Sequence, residues 1–181
     1  MFVPRNTLQV VCSPQCAIER AGNPGARAYK AKVVRAEIRE AKGKLKTRRE
    51  WLRDAQRVFN EYIRERDRDQ CCISCGLPPG EGAYLTGSKW DCGHYRSVGA
   101  CPELRYDEEN AHRQCVKCNR YLSGNAVEYR AGLLHRIGPD RLARVEGPNA
   151  PVNYSVADLQ ELVKKFKDKT QALKRARGDY E

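Results

Sequence analysis

Two pairs of cysteines constrain the fold of this chain more than any other feature. Two residues separate Cys72 from Cys75, the same spacing separates Cys115 from Cys118, and 39 residues lie between the pairs. Each short turn can present two thiolates, and structural zinc takes four ligands in a tetrahedron. The spacing therefore predicts one structural Zn²⁺ that holds two distant segments together. A zinc site alone also fits a DNA-binding finger without catalytic activity.

Polar residues between and just after these pairs have the chemistry of phosphodiester hydrolysis. That reaction needs a base that activates water and a hard cation that neutralises charge on the phosphate. His94 is the candidate base, since an unperturbed imidazole titrates near pH ~6.5. Asp91 and the amide oxygen of Asn119 are hard ligands suited to Mg²⁺ or Mn²⁺. In isolation His94 would more often be a surface or packing histidine, and its neighbours in this order favour the catalytic interpretation.

Two further polar residues lie on the approach to the second cysteine pair. Asn110 is expected to fasten the loop between residues 95 and 109 and so to orient His94, and we count it with His94 as a candidate catalytic residue. His112 could contact the metal, the phosphate or neither. The remaining nearby cysteines have no partner at a suitable spacing, and Cys92 and Cys101 are predicted to be free, buried thiols.

The order His94, Asn110, Asn119, enclosed by the cysteine pairs, resembles the HNH (ββα-metal) nuclease motif in its His-Asn-Asn form. More closely, residues 91–95 (Asp-Cys-Gly-His-Tyr) and 115–119 (Cys-Val-Lys-Cys-Asn) resemble the NinG/Rap recombination endonucleases of lambdoid phages. The likeness covers roughly residues 47 to 175. It implies metal-dependent cutting of branched DNA, such as Holliday junctions and displacement loops, during phage recombination in the cytoplasm of the bacterial host.

The charge of the chain agrees with a polyanionic partner. Its 34 basic and 23 acidic side chains give a formal charge of +11, which favours nucleic acid, although part of it can serve solubility. Residues 26–57 hold twelve Lys or Arg against four Asp or Glu. This segment is either an arm that lies along DNA phosphates or a solvated helix, and we favour the arm. The predicted DNA-binding residues are Arg96, Arg113, Lys117, Arg120, Lys42, Lys44, Lys46, Arg48 and Arg49.

Composition limits the size and environment of the fold. With 181 residues, 40% of them hydrophobic and 31% charged, the chain can form one modest domain with extensions, and zinc is expected to stabilise its small core. No apolar run is long enough to span a membrane. Residues 1–11 are too short and polar for a secretory signal. The nine cysteines therefore indicate reduced thiols and metal ligands.

Apolar periodicity and turn residues predict the elements around this centre. A helix should begin near Arg48 and end near Asp69, and a C-terminal helix that ends near Ala176 should pack against it. Residues 76–90 should form a loop. The remaining predicted elements are strands at 90–95 and 110–114 and helices at 26–46, 118–122, 126–137 and 140–145. The fold class is mostly helical α+β, with a ββα-metal centre flanked by basic helices.

Three segments make up the predicted domain organisation: a remnant of a cysteine-containing segment (residues 1–25), the basic helical arm (26–46) and the zinc-stapled nuclease domain (47–181). Cys12 and Cys16 form half of a second zinc site. Proteins of the resembled family carry another cysteine pair before this one. The expectation is therefore a truncated or late-started N-terminus without zinc at Cys12 and Cys16. Symmetric junction cutting would favour a homodimer.

Overall fold

The computed structural model describes residues 10–80 and 90–179, except for the side chains of Arg20, Lys44 and Leu45. The predicted phosphate contact of Lys44 and most of the predicted loop at residues 76–90 lie outside the described parts. The chain divides into two compact units, one ending at Thr47 and the other beginning at Arg48.

The described part of the first unit contains two helices, α1 (Pro14–Gly22) and α2 (Pro24–Leu45). α2 confirms the predicted helix at 26–46, and Asn23 begins it by accepting the backbone N–H of Gly25 at 2.8 Å. α1 was not predicted, because the cysteine spacing suggested a zinc turn. The Ser13 hydroxyl accepts the backbone N–H of Cys16 at 3.1 Å, which favours a helical first turn instead.

The second unit is built mainly from helices. α6 begins at a capping box, in which the Ser155 hydroxyl accepts the Asp158 N–H at 3.2 Å and the Asp158 carboxylate accepts the Ser155 N–H at 2.7 Å. α3 ends short of the predicted position near Asp69, whereas α4 has its predicted bounds. The α-helices are α3 (Arg48–Arg66), α4 (Ala126–Ile137), α5 (Pro139–Glu146) and α6 (Val156–Ala176).

Helices α3 and α6 pack against each other, as predicted. The rings of Phe59 on α3 and Phe166 on α6 meet edge to face with centroids 4.9 Å apart, and both side chains are fully buried. Ala55, Val58 and Ile63 extend the apolar face of α3. The aromatic residues of α3 are therefore core residues, because burial of this face drives the helix pair together.

A two-stranded antiparallel sheet lies beside these helices, with β1 (Trp90–His94) and β2 (Ala111–Cys115) in the register Asp91↔Gln114 and Gly93↔His112. Both strands were predicted, and the second begins one residue later than expected. Since side chains alternate along a strand, one face of the sheet turns Cys92 and Ala111 towards the α3–α6 core. The other face meets α4, where the Tyr129 hydroxyl donates to the Gly93 carbonyl at 2.9 Å.

The segment after β2 returns the chain to the first cysteine pair. A short π-helix (Lys117–Tyr121) replaces the predicted helix at 118–122. α4 then passes close to the first pair at Gly132, where an added Cβ would lie 1.9 Å from the Ile73 carbonyl oxygen. Only glycine permits that approach. No helix among the described residues is long and apolar enough to cross a membrane. The architecture is a mostly helical α+β fold with one small sheet.

Candidate metal centre and catalytic residues

The four predicted zinc ligands meet at one place. The sulfurs of Cys72, Cys75, Cys115 and Cys118 all lie within 4.8 Å of one another, and those of Cys75 and Cys115 are 3.8 Å apart. A tetrahedral zinc with Zn–S bonds of about 2.3 Å places its sulfurs about 3.8 Å apart. The donor set and its spacing therefore fit a zinc ion, which would join the turn after α3 to the end of β2.

Hydrogen bonds to sulfur support this centre from outside. The Cys115 N–H points to the Cys72 sulfur at 3.3 Å, and the Asn125 amide points to the Cys118 sulfur at 3.7 Å. Burial raises the pKa of the Cys72 thiol, but backbone N–H groups of Cys115, Cys75 and Ser74 more than offset this effect and lower it overall. Such bonds stabilise the thiolate, the form that binds metal.

The other cysteines are separate from this centre. Cys101 is buried, Cys71 is exposed, and Cys92 is half-buried rather than fully buried as predicted. Burial raises the pKa of the Cys92 thiol to about 12, so it stays protonated and unreactive. The sulfurs of Cys12 and Cys16 lie 3.1 Å apart. Across residues 10–80 and 90–179, the four-cysteine cluster is the one group of three or more Cys, His, Asp or Glu side chains close enough to share a metal.

His94, the last residue of β1, is held in one orientation. Its Nε2 lies 3.0 Å from the carbonyl oxygen of Arg105, and its ring lies 5.8 Å from that of Phe59. Because a carbonyl oxygen can only accept, Nε2 carries the proton and Nδ1 keeps its lone pair. Burial lowers the pKa of His94, the carbonyl of Arg105 opposes this change, and the charge of Arg105 adds to it. The imidazole is therefore neutral at pH 7.

Asn110 fastens the loop that reaches His94. Its amide oxygen accepts the backbone N–H of Arg96 at 2.8 Å, and its amide nitrogen donates to the carbonyls of Arg96 at 3.0 Å and Leu104 at 3.2 Å. The side chain is fully buried. Both ends of the loop between residues 95 and 109 are thereby tied to one side chain, and this loop carries the Arg105 carbonyl that orients His94. Asn110 acts as a positioning residue.

The structure also brings Asp91 and Asn119 together. The Asn119 amide donates to Asp91 Oδ2 at 3.0 Å, and Arg120 donates to both carboxylate oxygens at 2.7 Å. Burial alone would raise the pKa of Asp91, but its bonds to Arg120 and Asn119 lower it overall, so the carboxylate is ionised. Arg120, predicted to bind DNA, thus neutralises the candidate metal ligand. Its side chain is 45% exposed and can leave.

Asp91 and His94 lie on opposite faces of β1. Asp91 shares its face with Gly93, whereas His94 shares the other with Cys92, since strand side chains alternate. Three residue steps of about 3.3 Å separate their Cα atoms along the strand. A phosphate reached by both groups must therefore pass the edge or the end of β1.

His112 belongs to a buried network that the sequence did not reveal. Its Nδ1 lies 3.0 Å from Arg66 Nη2 and its Nε2 lies 3.2 Å from the Glu109 carbonyl. Since arginine can only donate, Nδ1 is the acceptor and the ring is neutral, although Asp67 Oδ2 lies 3.4 Å from the same nitrogen. Burial lowers the pKa of His112. The sequence left three roles open for His112, and this arrangement fits the third, in which the side chain contacts neither the metal nor the phosphate.

Asp67 is the centre of that network. Arg66 donates to both of its oxygens, at 2.7 and 2.9 Å, and the backbone N–H of Arg113 donates to it at 3.0 Å. Burial would raise the pKa of Asp67, but the hydrogen bonds and the charge of Arg66 lower it overall. The network joins the end of α3 to β2. No sequence spacing relates these residues, because they lie more than forty positions apart.

The predicted DNA-binding residues divide into buried and exposed groups. The structure corrects the prediction that Arg113 binds DNA. Its side chain is 6% exposed, its guanidinium stacks 3.8 Å above the Trp90 ring, and it donates to the Arg68 carbonyl. Stacking and these bonds hold it inside the fold, where burial keeps its guanidinium away from a phosphate backbone. Arg96 is half-buried and donates to the Glu146 carbonyl at 3.1 Å.

The remaining basic candidates are more accessible. Arg48 is exposed but donates to the Tyr154 carbonyl and the Asn153 amide oxygen, both at 2.8 Å. Lys46 is half-buried. Lys42, Arg49 and Lys117 are exposed. Lys117 lies nearest in sequence to Asn119 and is the accessible cation of the π-helix beside Arg120.

Comparison with known proteins decides the relationship of the chain. The profile of the family described as Bacteriophage Lambda NinG protein matches residues 1–176. The chain belongs to the NinG family. Its relatives named "Protein ninG" include those of Escherichia phage 933W (38% identical), Escherichia phage lambda (37%) and Salmonella phage P22 (38%). Each match covers 98% of this chain, and the shares of the relatives covered are 92%, 90% and 91% respectively.

Membership of the NinG family confirms the resemblance drawn from residues 91–95 and 115–119, and places the chain among phage proteins. No solved structure matches the chain. The names of the relatives carry no activity, so the function rests on the geometry of the residues described above.

Proposed function

We propose that this NinG-family protein is a divalent-metal-dependent endonuclease that hydrolyses phosphodiester bonds in branched DNA, such as Holliday junctions and displacement loops, during phage recombination in the host cytoplasm. The centre would be of the HNH (ββα-metal) type. Its two antiparallel strands are followed by the short helix that bears Asn119, and the four cysteines would hold a structural zinc beneath it.

The observation that carries this proposal is the state of His94. Its Nε2 proton is committed to the Arg105 carbonyl at 3.0 Å, and no described residue bonds to Nδ1. Burial keeps the ring neutral. A neutral imidazole in a fixed orientation with one free nitrogen is suited to take a proton from water. A histidine that served only for packing would not need the Arg105 carbonyl, on the loop held by Asn110, to fix the orientation of its ring.

Asp91 and Asn119 are the residues that would hold Mg²⁺ or Mn²⁺. Their donor set is two carboxylate oxygens and an amide oxygen, hard ligands that these cations prefer. The bound cation would neutralise charge on the phosphate and on the leaving oxygen. Arg120 must leave Asp91 first, and the amide of Asn119 must turn its oxygen inwards. Arg120 and Lys117 are then placed to contact the DNA backbone.

His94 takes a proton from the attacking water at Nδ1, while Nε2 keeps its bond to the Arg105 carbonyl. The imidazolium that forms is stabilised by that carbonyl. The substrate phosphate would lie at the edge of β1, where Asp91 and His94 would approach it from opposite faces of the strand. Two such centres would cut a junction symmetrically, so we propose that the protein acts as a homodimer.

A cleavage assay with wild-type protein tests the reaction class. A four-way junction, a fork and a linear duplex of the same sequence would be incubated with protein, with Mg²⁺ or with EDTA. We expect cleavage of the branched substrates in Mg²⁺, much less cleavage of the duplex, and none in EDTA. Binding of junction DNA without cleavage in either Mg²⁺ or Mn²⁺ would contradict the proposal.

That negative result would favour a second function, a zinc-stapled DNA-binding protein without hydrolytic activity. One observation supports it: both oxygens of Asp91 are bonded to Arg120, an arrangement that a purely structural carboxylate would also show. The neutral His94 with its free Nδ1 favours the nuclease.

A further inference from the structure

Gln114 on β2 has an amide whose orientation is fixed by its neighbours. Its Nε2 donates to the Ser74 hydroxyl at 2.7 Å and to the Gly124 carbonyl at 2.6 Å. Because the Gly124 carbonyl can only accept, the nitrogen must lie on that side and Oε1 on the other. The side chain is fully buried.

The oxygen of this amide has no partner. Among the described residues, none makes a hydrogen bond to Gln114 Oε1. Buried polar atoms without a partner are rare and destabilise the fold, so each one calls for an explanation such as a bound ion. This oxygen points at Gly93, where an added Cβ would lie 2.2 Å from it. The missing side chain at position 93 is what leaves room for the oxygen.

Gln114 also faces the residues assigned to the divalent cation. It is the cross-strand partner of Asp91, and side chains of such pairs leave the sheet on the same face with Cβ atoms about 5 Å apart. The Asp91 carboxylate is bonded to Asn119 at 3.0 Å. One face of the hairpin thus carries a carboxylate and a buried amide oxygen without a donor, and the amide of Asn119, on the π-helix, is bonded to that carboxylate.

We propose that Gln114 Oε1 is a third oxygen ligand for the divalent cation, together with Asp91 and Asn119. This assignment rests on the proposed function, because it concerns the same cation. It explains the orphaned oxygen, since a cation satisfies it. It also explains Gly93, since any larger residue would displace that oxygen. The amide nitrogen, fixed by Ser74 and Gly124, holds the ligand in place before the cation arrives.

Binding of Mn²⁺ alone tests the assignment without reference to activity. The loss of the six-line electron paramagnetic resonance signal of free Mn²⁺ would be followed as zinc-loaded protein is added. Gln114→Met removes the oxygen at similar side-chain length, and Gln114→Glu keeps an oxygen and adds charge but loses the N–H that donates to the Gly124 carbonyl. Ser74→Ala is the matched control, because it removes one anchor of the amide but leaves the oxygen. Zinc content and thermal unfolding would show that each variant is folded.

We expect Gln114→Met to bind Mn²⁺ on the order of tenfold to a hundredfold more weakly than wild type. Gln114→Glu should bind it more tightly, and Ser74→Ala should stay within about threefold of wild type. Equal affinities of wild type, Gln114→Met and Gln114→Glu would overturn the assignment. Gln114 Oε1 would then rest only on the Cα–H groups of Gly93, a weak contact. If Gln114→Met does not fold, the Mn²⁺ affinity of Gln114→Glu compared with that of Ser74→Ala still tests the ligand assignment.

The outcome is separable from that of the nuclease proposal. If wild-type protein cuts junctions but the position-114 variants bind Mn²⁺ as tightly as wild type, the ligand assignment is wrong and the nuclease proposal stands. If the protein binds Mn²⁺ through Gln114 but cuts no DNA, the ligand assignment stands and the nuclease proposal is wrong. Absence of Mn²⁺ binding by wild type would overturn the ligand.

Discussion

At the scale of single residues, two histidines of the same sheet show how different surroundings separate function from structure. Both are neutral, because burial lowers the pKa of each. His112 uses both ring nitrogens within the fold, at 3.0 and 3.2 Å. His94 uses one, and keeps the other available. The sequence could rank His94 above His112 by motif, but only the hydrogen bonds show why.

The pH dependence of cleavage should reflect this state. Since the folded pKa of His94 lies below its ordinary value of about 6.5, the base stays neutral, and the cleavage rate stays constant, down to about that pH. The acid limb should then fall with a midpoint below 6.5. The measurement is single-turnover cleavage from pH 5 to 8 at saturating Mg²⁺. A midpoint at or above 6.5 would contradict the neutral, buried base.

Stability should fall over the same acid range. As pH drops below about 6.5, the unfolded chain binds protons at His94 and His112 that the folded chain does not bind, so the free energy of unfolding decreases. Urea unfolding at each pH would measure this change. It also identifies the range in which the rates above come from folded protein.

Asp67 is the residue whose loss should matter most for stability. Asp67→Ala removes a buried carboxylate and leaves the half-buried Arg66 without its partner, and breaking a largely buried charged pair costs about 3–5 kcal/mol. Asp69→Ala is the control, since Asp69 is exposed two positions away. Urea unfolding at pH 7 compares the two variants with wild type. A cost below about 1 kcal/mol for Asp67→Ala would mean that the network is dispensable.

Among the helices and strands, apolar periodicity predicted those elements that form by burying an apolar face. The faces of α3 and α6 carry aromatic and aliphatic residues at helical spacing, and they form the core. α1 was missed, because local hydroxyl capping overrides the pattern, whereas the helix predicted at 118–122 is present as a π-helix at Lys117–Tyr121. The buried role of Arg113 was missed since its partners, Trp90 and the turn after α3, are distant in sequence.

The zinc turns are the elements whose loss should unfold the hairpin. Structural zinc contributes about 10–16 kcal/mol in small modules, comparable to the whole stability of a domain, about 5–15 kcal/mol. Cys75→Ser should therefore lose zinc and the cooperative unfolding transition. Cys71→Ser, the neighbouring exposed cysteine, should keep both. Metal analysis should find one tightly held zinc in wild type, and two per chain would implicate Cys12 and Cys16.

At the scale of the whole molecule, positive charge is spread over both units, with a formal total of +11. A charged run of helix-forming residues predicted α2, but the role of α2 on DNA stays a prediction. If α2 lies along phosphates, replacing Lys30, Arg35, Arg39 and Lys42 with Gln should flatten the salt dependence of junction binding. Each lost phosphate contact lowers the log–log slope by about 0.9. All four side chains are exposed.

The measurement is junction binding by fluorescence anisotropy across a salt series, with the same four-residue neutralisation on α6 (Lys164, Lys167, Lys174 and Arg175) as the matched control. The slope should fall with the α2 variant more than with the α6 variant. An unchanged slope would mean that α2 is a solvated helix without contact to DNA.

The role of His94 as the base of a metal-dependent nuclease can be tested by comparing three proteins. Single-turnover cleavage of a four-way junction in Mg²⁺ would be measured for wild type, His94→Ala and His135→Ala. His135 is an exposed histidine in the last turn of α4, so its variant should cleave like wild type. His94→Ala should bind zinc and junction DNA normally but cleave on the order of 10²–10⁴-fold more slowly. Wild-type cleavage by a folded His94→Ala protein would contradict the account.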